Sequence, residues 1–324
     1  MKTRILTLLQ EAEGYLSGQE LCEKLGVSRT AIWKWIKKLK EEGYEIQAVP
    51  NRGYRLVARP DKVTEEACLS QMDTAWAGRN IRYFPITDST NTRARALAEE
   101  GAPHGTLVIA EEQTGGKGRR GRNWSSPAGT AVYMTILLRP VIAPQNASML
   151  TLVMALAVEE GIRRVSGLDT MIKWPNDVVA EGKKLCGILT EMSADMDGIR
   201  YVVIGAGINA NQEAFPEELA AASSLRILKG KKVERSVLIA ETMKAFEKYY
   251  EIFVRTQDMS GLKEVYERRL ANMGRQVRVL DSQPWTGTAR GIDRSGELLV
   301  EDGEGRVHTV LSGEVSVRGI YGYV

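Results

Sequence analysis

Histidine and cysteine are scarce in this 324-residue chain. His104 and His308 are the two histidines, and Cys22, Cys68 and Cys186 the three cysteines, all far apart. An odd set of separated cysteines excludes a disulfide framework and a cysteine-built zinc site, and two distant histidines argue against His-centred catalysis. Metal binding centred on histidine is equally unexpected. No apolar run approaches the roughly 18 residues of a transmembrane span. Met1-Lys2-Thr3-Arg4 opens an amphipathic helix rather than a secretion signal, so the expectation is a cytoplasmic protein without a membrane partner. Internal repeats and low-complexity segments are missing, as is the G-x-x-x-x-G-K-[ST] phosphate loop, and no G-x-G-x-x-G opens a βαβ unit.

What is present is an ordinary globular composition, 43% hydrophobic and 26% charged. The length exceeds what one core usually organises, so two or three domains are expected. The net charge of +3 is unevenly placed: residues 1–60 hold eleven Lys/Arg against seven Asp/Glu, or +4, and the remainder sums to −1. A basic N-terminal segment points to an acidic polymer as its partner.

Ile5, Leu6, Leu8 and Leu9 form one apolar helical face. Ser17 or Gly18 starts a second helix that Gly26 ends, and Ser28 caps a third in which Ile32, Ile36 and Leu39 recur at helical spacing. Strands at 45–49 and 54–57 flank a Pro50-Asn51-Arg52-Gly53 tip. Three helices and a hairpin make a winged helix-turn-helix over residues 1–62, ending in an Ala58-Arg59-Pro60-Asp61-Lys62 linker. On the third helix Arg29, Trp33 and Lys37 share a stripe beside Thr30 and Lys34, away from the apolar face. With Ser28 at the helix start and Arg52 at the hairpin tip, they are the candidate DNA-binding residues. A charged, solvated helix in a protein-interaction module is the competing reading.

Residues 63–273 alternate strand-like runs (106–110, 131–138, 171–174, 185–190, 201–208) with helical patterns (88–100, 148–164, 237–255, 262–270), an α/β or α+β domain. Residues 274–324 hold short strand runs at 277–280, 286–291, 298–300 and 307–311 between Gly, Pro and Asp turns, as in a small β-barrel.

The central segment carries the chemistry. Gly115-Gly116-Lys117-Gly118-Arg119-Arg120-Gly121-Arg122-Asn123-Trp124 sets four cations among glycines, where N–H groups and cations can cradle phosphate or carboxylate; a solvated basic turn has the same composition. Residues 116–121 contain no apolar anchor, so an anion is expected to order them. Asp88-Ser89-Thr90-Asn91 puts small polar groups at a helix start, where they can hold a polar ligand, although a Ser/Thr cap taken alone is structural far more often than functional. Lys173-Trp174-Pro175-Asn176-Asp177 gathers polar groups beside buried strands, at a cost unless they serve something. Lys183-Lys184-Leu185-Cys186-Gly187-Ile188-Leu189 directs a cation onto an apolar strand, and Gly205-Ala206-Gly207-Ile208-Asn209 ends a strand with two glycines that permit close approach of a ligand.

Together these motifs resemble the bifunctional biotin–protein ligase and biotin operon repressor, the BirA family, over essentially the whole chain in order. The resemblance implies a winged helix, a mixed-sheet ligase domain and an SH3-like C-terminal barrel. It implies that ATP, with Mg²⁺, and biotin are substrates, that biotinyl-5′-AMP is the intermediate, and that a lysine of biotin carboxyl carrier protein accepts the biotin. It further implies repression at operator DNA by an adenylate-bound homodimer. Carried over residue by residue, Ser89, Thr90, Asn91, Gln113, Gly116, Lys117, Gly118 and Arg119 line the biotin site, with Gly187, Gly205 and Gly207 as its floor. Lys184 bridges biotin carboxylate and α-phosphate. Arg119, Arg120, Arg122 and Trp124 cover the adenylate, and Lys173, Asn176 and Asn209 fall on the nucleotide side. Asp177 assists metal or the incoming amine, and the catalytic group is Lys184, Arg119, Asp177 and Lys173. Lys117 stands where some members carry Arg, which keeps the cation without the guanidinium fork. Two other readings are a sensor domain without chemistry and a ligase for a related acid such as lipoate.

Overall fold

The computed structural model describes residues 1–280, 283–311, 316–319 and 323. At the N-terminus α1 (Lys2–Glu11), α2 (Gly18–Leu25) and α3 (Arg29–Glu41) are followed by the antiparallel pair β1 (Glu45–Val49) and β2 (Gly53–Ala58). Ser17 begins α2 through a capping box, its side chain bonded to the Glu20 N–H and its own N–H to the Glu20 carboxylate. Gly26 ends that helix at φ +68°. Ile5, Leu6, Leu9, Leu21, Ile32, Ile36 and Leu39 bury together, and this separate core is closed by Leu16, Tyr44 and Ile46. The helix spacing and the hairpin tip therefore agree with the sequence.

The central unit opens with α4 (Glu65–Leu69), β3 (Asn80–Thr87), α5 (Thr90–Glu99), β4 (Thr106–Gln113), β5 (Val132–Leu138) and α6 (Leu150–Ser166). It continues with β6 (Met171–Lys173), β7 (Asp177–Ala180), β8 (Lys183–Asp195), β9 (Gly198–Ile208), α7 (Leu225–Lys229), α8 (Arg235–Thr256) and α9 (Lys263–Glu267). Seven strands form one mixed sheet in the order β3-β4-β5-β9-β8-β7-β6, in which β3 and β4 are parallel and the other neighbours antiparallel. Alternation along β5 divides its side chains. Val132, Met134, Ile136 and Leu138 enter the large core with α6 and α8, whereas Leu137 joins a smaller cluster with Ala94 and Ala98 of α5. The opposite face of the sheet beyond α5 is thus left for something other than a helix.

Three strands have no counterpart among the sequence expectations: β3 and β7 of the central sheet, and the C-terminal strand at Ser316–Gly319. β3 contains Arg82 and Pro85 and lies at the sheet edge, where the apolar pattern is weak and proline is tolerated. β7 is four residues long and pairs with β6 around Trp174-Pro175-Asn176, so the stretch that reads as one turn is a hairpin tip. At the C-terminus β10 (Gln276–Leu280), β11 (Trp285–Ile292), β12 (Leu298–Glu301), β13 (Val307–Val310) and β14 (Ser316–Gly319) form an antiparallel sheet in the order β13-β12-β11-β10-β14. The expected 274–324 module includes residues 281–282, 312–315, 320–322 and 324, which lie outside those described.

Candidate active site

Register builds the floor of the site. Across β5, β9, β8 and β7, Tyr133 pairs with Gly207, Gly207 with Gly187, and Gly187 with Asp177; one row away Thr135 pairs with Gly205 and Gly205 with Leu189. The period of two therefore puts Gly187, Gly205 and Gly207 side by side on the face that α5 leaves open. A Cβ at Gly205 would collide with Asn91, and one at Gly207 with the Trp124 indole. These glycines are required by close approach.

Above the floor is a cavity of about 870 Å³ lined by Ser89, Thr90, Asn91, Gln113, Lys117, Gly118, Arg119, Arg120, Arg122, Trp124, Lys173, Asn176, Asp177, Lys184 and Asn209, together with the three floor glycines. Gly116 lies beneath the loop, buried against the Trp124 carbonyl and Ser126. The sequence-expected binding residues of the central domain are thus gathered in one place from five distant segments. Residues 1–60 contribute none of them.

At one end the groups are neutral. Thr135, fully buried in β5, directs its hydroxyl at Thr90 Oγ1 (2.8 Å) and Asn91 Oδ1 (2.7 Å), two acceptors for one proton. Gln113 Oε1 accepts from Thr90 N–H (2.8 Å) and its hydroxyl (3.1 Å), Gln113 Nε2 donates to Ser126 Oγ (2.9 Å), and Ser126 donates to the Trp124 carbonyl (2.9 Å). Asn91 Nδ2 donates to Glu191 (2.7 Å). No sequence motif singles out Thr135, Ser126 or Glu191. A lone hydroxyl in the buried run Val132-Tyr133-Met134-Thr135-Ile136 was the one available signal.

The other end is charged. Lys184 Nζ is 2.6 Å from Asp177 Oδ1 and 5.4 Å from the centre of the Trp124 ring. Lys173 and Asp177 are buried, and Arg119 donates to Asn176 Oδ1 at 3.0 Å. Burial pulls the Arg119 guanidinium below its ordinary value, against Asp177, which holds it up, and with Arg120 and Arg122 lowering it further. Arg120, Arg122 and Lys117 are exposed. Beneath this group Cys186 is wholly buried, and that burial pushes its thiol far up.

The glycine loop is closed on itself: Lys117 bridges Asn123, the Gly118 N–H meets the Arg122 carbonyl (2.7 Å), and the Trp124 N–H meets that of Gly116 (2.9 Å). It is anchored by Arg119 and by Trp124, which lies on Gly187 and Gly207 with its buried Nε1–H unpartnered among the described residues. Residues 212–222, which no sequence motif singles out, also line the cavity, among them Gln212, Phe215 and Leu219. Tyr323 also reaches the cavity. Among the described residues no three His, Cys, Asp or Glu side chains gather as a metal cage, and no helix is long and apolar enough to cross a membrane.

On α3, Arg29, Thr30, Trp33, Lys34 and Lys37 are exposed on one side, and Arg52 is exposed at the hairpin turn. Lys37 Nζ lies 5.7 Å from the Trp33 ring centre, Arg29 donates to Gln19 of α2 (3.0 Å), and Ser28 Oγ is taken as the α3 cap by the Ala31 N–H.

A helix-turn-helix module with an exposed cationic helix, joined to a sheet domain whose one cavity end is amide-lined and the other cationic, defines a DNA-binding protein fused to an anion-handling enzyme domain. The comparisons with known proteins agree. A helix-turn-helix (HTH) domain matches residues 2–55, the biotin/lipoate A/B protein ligase family residues 83–209, and the biotin protein ligase C-terminal domain residues 273–318. The bifunctional ligase/repressor BirA of Bacillus subtilis is 42% identical over 91% of this chain and 92% of its own length; that of Escherichia coli is 32% identical over 97% and 96%. The solved biotin protein ligase from Aquifex aeolicus in complex with biotin and ATP covers 74% of this chain and 99% of its own, with 31% identity and a TM-score of 0.65. The chain belongs to the BirA family of bifunctional ligase/repressors.

Proposed function

We propose that this protein activates biotin with ATP as biotinyl-5′-AMP, transfers the biotin to a lysine of biotin carboxyl carrier protein, and represses transcription at operator DNA with the adenylate as co-repressor. In the first step a biotin carboxylate oxygen attacks the α-phosphorus and the bond to pyrophosphate breaks. In the second a neutral lysine amine attacks the acyl carbon, AMP leaves, and the amine's proton passes to solvent.

The observation that carries the reading is the polarity of one cavity. Its neutral end, Thr90, Asn91, Gln113 and Thr135, holds an oxygen acceptor that the shared Thr135 proton does not satisfy, and the ureido N–H groups of biotin are matching donors. Its charged end offers Lys184, Lys173 and Arg119 where carboxylate and α-phosphate must meet, so positioning and preorganised charge supply the catalysis. On this reading Lys184 leaves Asp177 for the reacting oxygens. Arg120 and Arg122 cover the phosphates, Asn176 and Asn209 hold the nucleotide, and Trp124 lifts from the glycines to close over the adenylate. Mg²⁺ enters with ATP. Among the described residues, Asp177 and Glu218 are the carboxylates lining the cavity, a sparse set that suits an ion keeping several of its waters. Loop closure around the adenylate favours a homodimer that presents paired α3 helices to DNA half-sites.

Incubation with radiolabelled biotin or lipoate, ATP and a biotin-acceptor domain is the test. ATP-dependent label from biotin on the acceptor is expected. Label from lipoate alone would replace the substrate, and no adenylate from either acid would leave a sensor without chemistry.

A further inference from the structure

Tyr323, in a terminal segment that no motif singled out, makes two contacts at the charged end of the cavity. Its hydroxyl donates to Asp177 Oδ2, and its ring lies under Lys173, with Nζ 3.5 Å from the ring centre. Asp177 is thereby engaged on both oxygens, because Oδ1 faces Lys184 at 2.6 Å. The three residues come from β6, the start of β7 and the start of β8, on the open face of the sheet. The fourth residue, Tyr323, is about 140 to 150 residues further along the chain.

The chemistry of these contacts is specific. A phenol donating to one carboxylate oxygen selects a single rotation of the Asp177 side chain, and so decides where the other oxygen meets the lysine. An ammonium over an aromatic face is held by the ring quadrupole while its N–H groups still point outward. Lys173 is buried, which raises the value of both effects, because competing water is reduced. The site so formed has two cations and one carboxylate fixed relative to one another before substrate arrives.

We propose that Tyr323 is a positioning residue for adenylate formation: its hydroxyl fixes Asp177 and shares its charge, so that Lys184 rests beside the reacting oxygens and is readily released to them, and its ring holds Lys173 toward the nucleotide, which makes Tyr323 part of the ligase site. This rests on the ligase reading above. Tyr323 acts through its contacts with Asp177 and Lys173.

The test uses the full-length protein and measures biotin-dependent ATP–pyrophosphate exchange for wild type, Tyr323→Phe and Tyr323→Ala, with thermal melting to verify folding. Tyr323→Phe keeps the ring on Lys173 and removes the hydroxyl from Asp177. It should lower kcat by about tenfold, the scale of one hydrogen bond to a charged group, with the KM for biotin unchanged. Tyr323→Ala should lose kcat to the same extent and in addition raise the KM for ATP severalfold, an effect the Phe variant rescues. A purely structural role would move melting temperature and both KM values together without this split. Exchange within twofold of wild type in both folded variants would overturn the proposal. Faster exchange would overturn it too, by showing that the side chain obstructs the site. If wild type itself exchanges no pyrophosphate, the ligase reading fails instead, and the two failures are told apart by that control.

Discussion

Lys184 and Asp177 show what a residue does when its substrate is away. A half-buried ammonium needs a counter-charge, and Asp177 supplies it at 2.6 Å. The pairing protects the empty site and has to be exchanged when a carboxylate and a phosphate enter. Lys184→Ala should therefore leave the fold intact and slow pyrophosphate exchange by roughly a hundredfold or more, the cost of removing one preorganised group aimed at developing charge. Exchange at the wild-type rate from a folded Lys184→Ala protein would take Lys184 out of the mechanism. Both residues stand out in the sequence as charges set among apolar strand residues. Their mutual contact does not, because it depends on the Asp177–Gly187 register and the bulge between Val178 and Val179 that lets Lys184 reach back.

At the scale of elements, the long helices α6 and α8 carry the sheet on their shared apolar faces, and Glu160 is a buried polar junction between them, beside the more exposed Arg164–Glu241 pair (3.3 Å). Burial pushes this carboxyl up. Hydrogen bonds from Tyr249 (2.5 Å) and Lys248 (2.9 Å) on α8 and from Arg164 (2.5 Å) on α6 outweigh that and hold it at about 2. A folded value below the ordinary 4.5 means stabilisation that is complete above about pH 4.5 and is lost as pH falls toward 2. Glu160→Gln should lower the melting temperature at pH 7 and flatten its fall between pH 4.5 and 2.5. Parallel melting curves for the two proteins across that window would show that Glu160 does not link α6 to α8 in this way. The helices themselves were legible from their 3.6-residue periodicity. Edge strand β3 and the four-residue β7 were not, since a short or edge strand has little apolar pattern to display.

At the scale of the molecule, the DNA-binding module is tied to the ligase domain by polar contacts. Lys2 bridges Glu42 and Glu66 at 2.8 Å each, so α1 meets α4. Asp61 of the linker is clasped by Arg235, 1% exposed at the start of α8, which also pairs with Glu111 (2.7 Å) on the strand that ends at Gln113. A buried cation so heavily bonded is costly to strip of one partner. A truncation that separates the modules must therefore keep Asp61. Removal of residues 1–60 should abolish operator binding in a gel-shift assay while adenylation continues. If the two activities are coupled through this junction, operator DNA should raise adenylate affinity by the same factor that adenylate raises operator affinity, commonly about 5–150-fold. Unequal factors at equilibrium would rule out a single shared switch, and a truncated protein that still shifts operator DNA would remove α3 from recognition.

Sequence alone determined the local matters. Helix periods, caps such as Ser17 and Gly26, the cationic stripe of α3 and the glycine-rich motifs are set by residues a few positions apart, and their physics is short-range. Tertiary structure decided every relation between distant segments. It aligned Gly187, Gly205 and Gly207 into one floor by strand register, paired Lys184 with Asp177, laid Trp124 on the glycines, gave Thr135 its two acceptors and brought Tyr323 to Lys173. Apart from Lys184 and Asp177, seven residues apart across a hairpin, such contacts close loops of about twenty to 150 residues, and no pattern within a short window encodes them. They exist because the sheet and its helices bury one common core, and the site occupies the face which that burial leaves open.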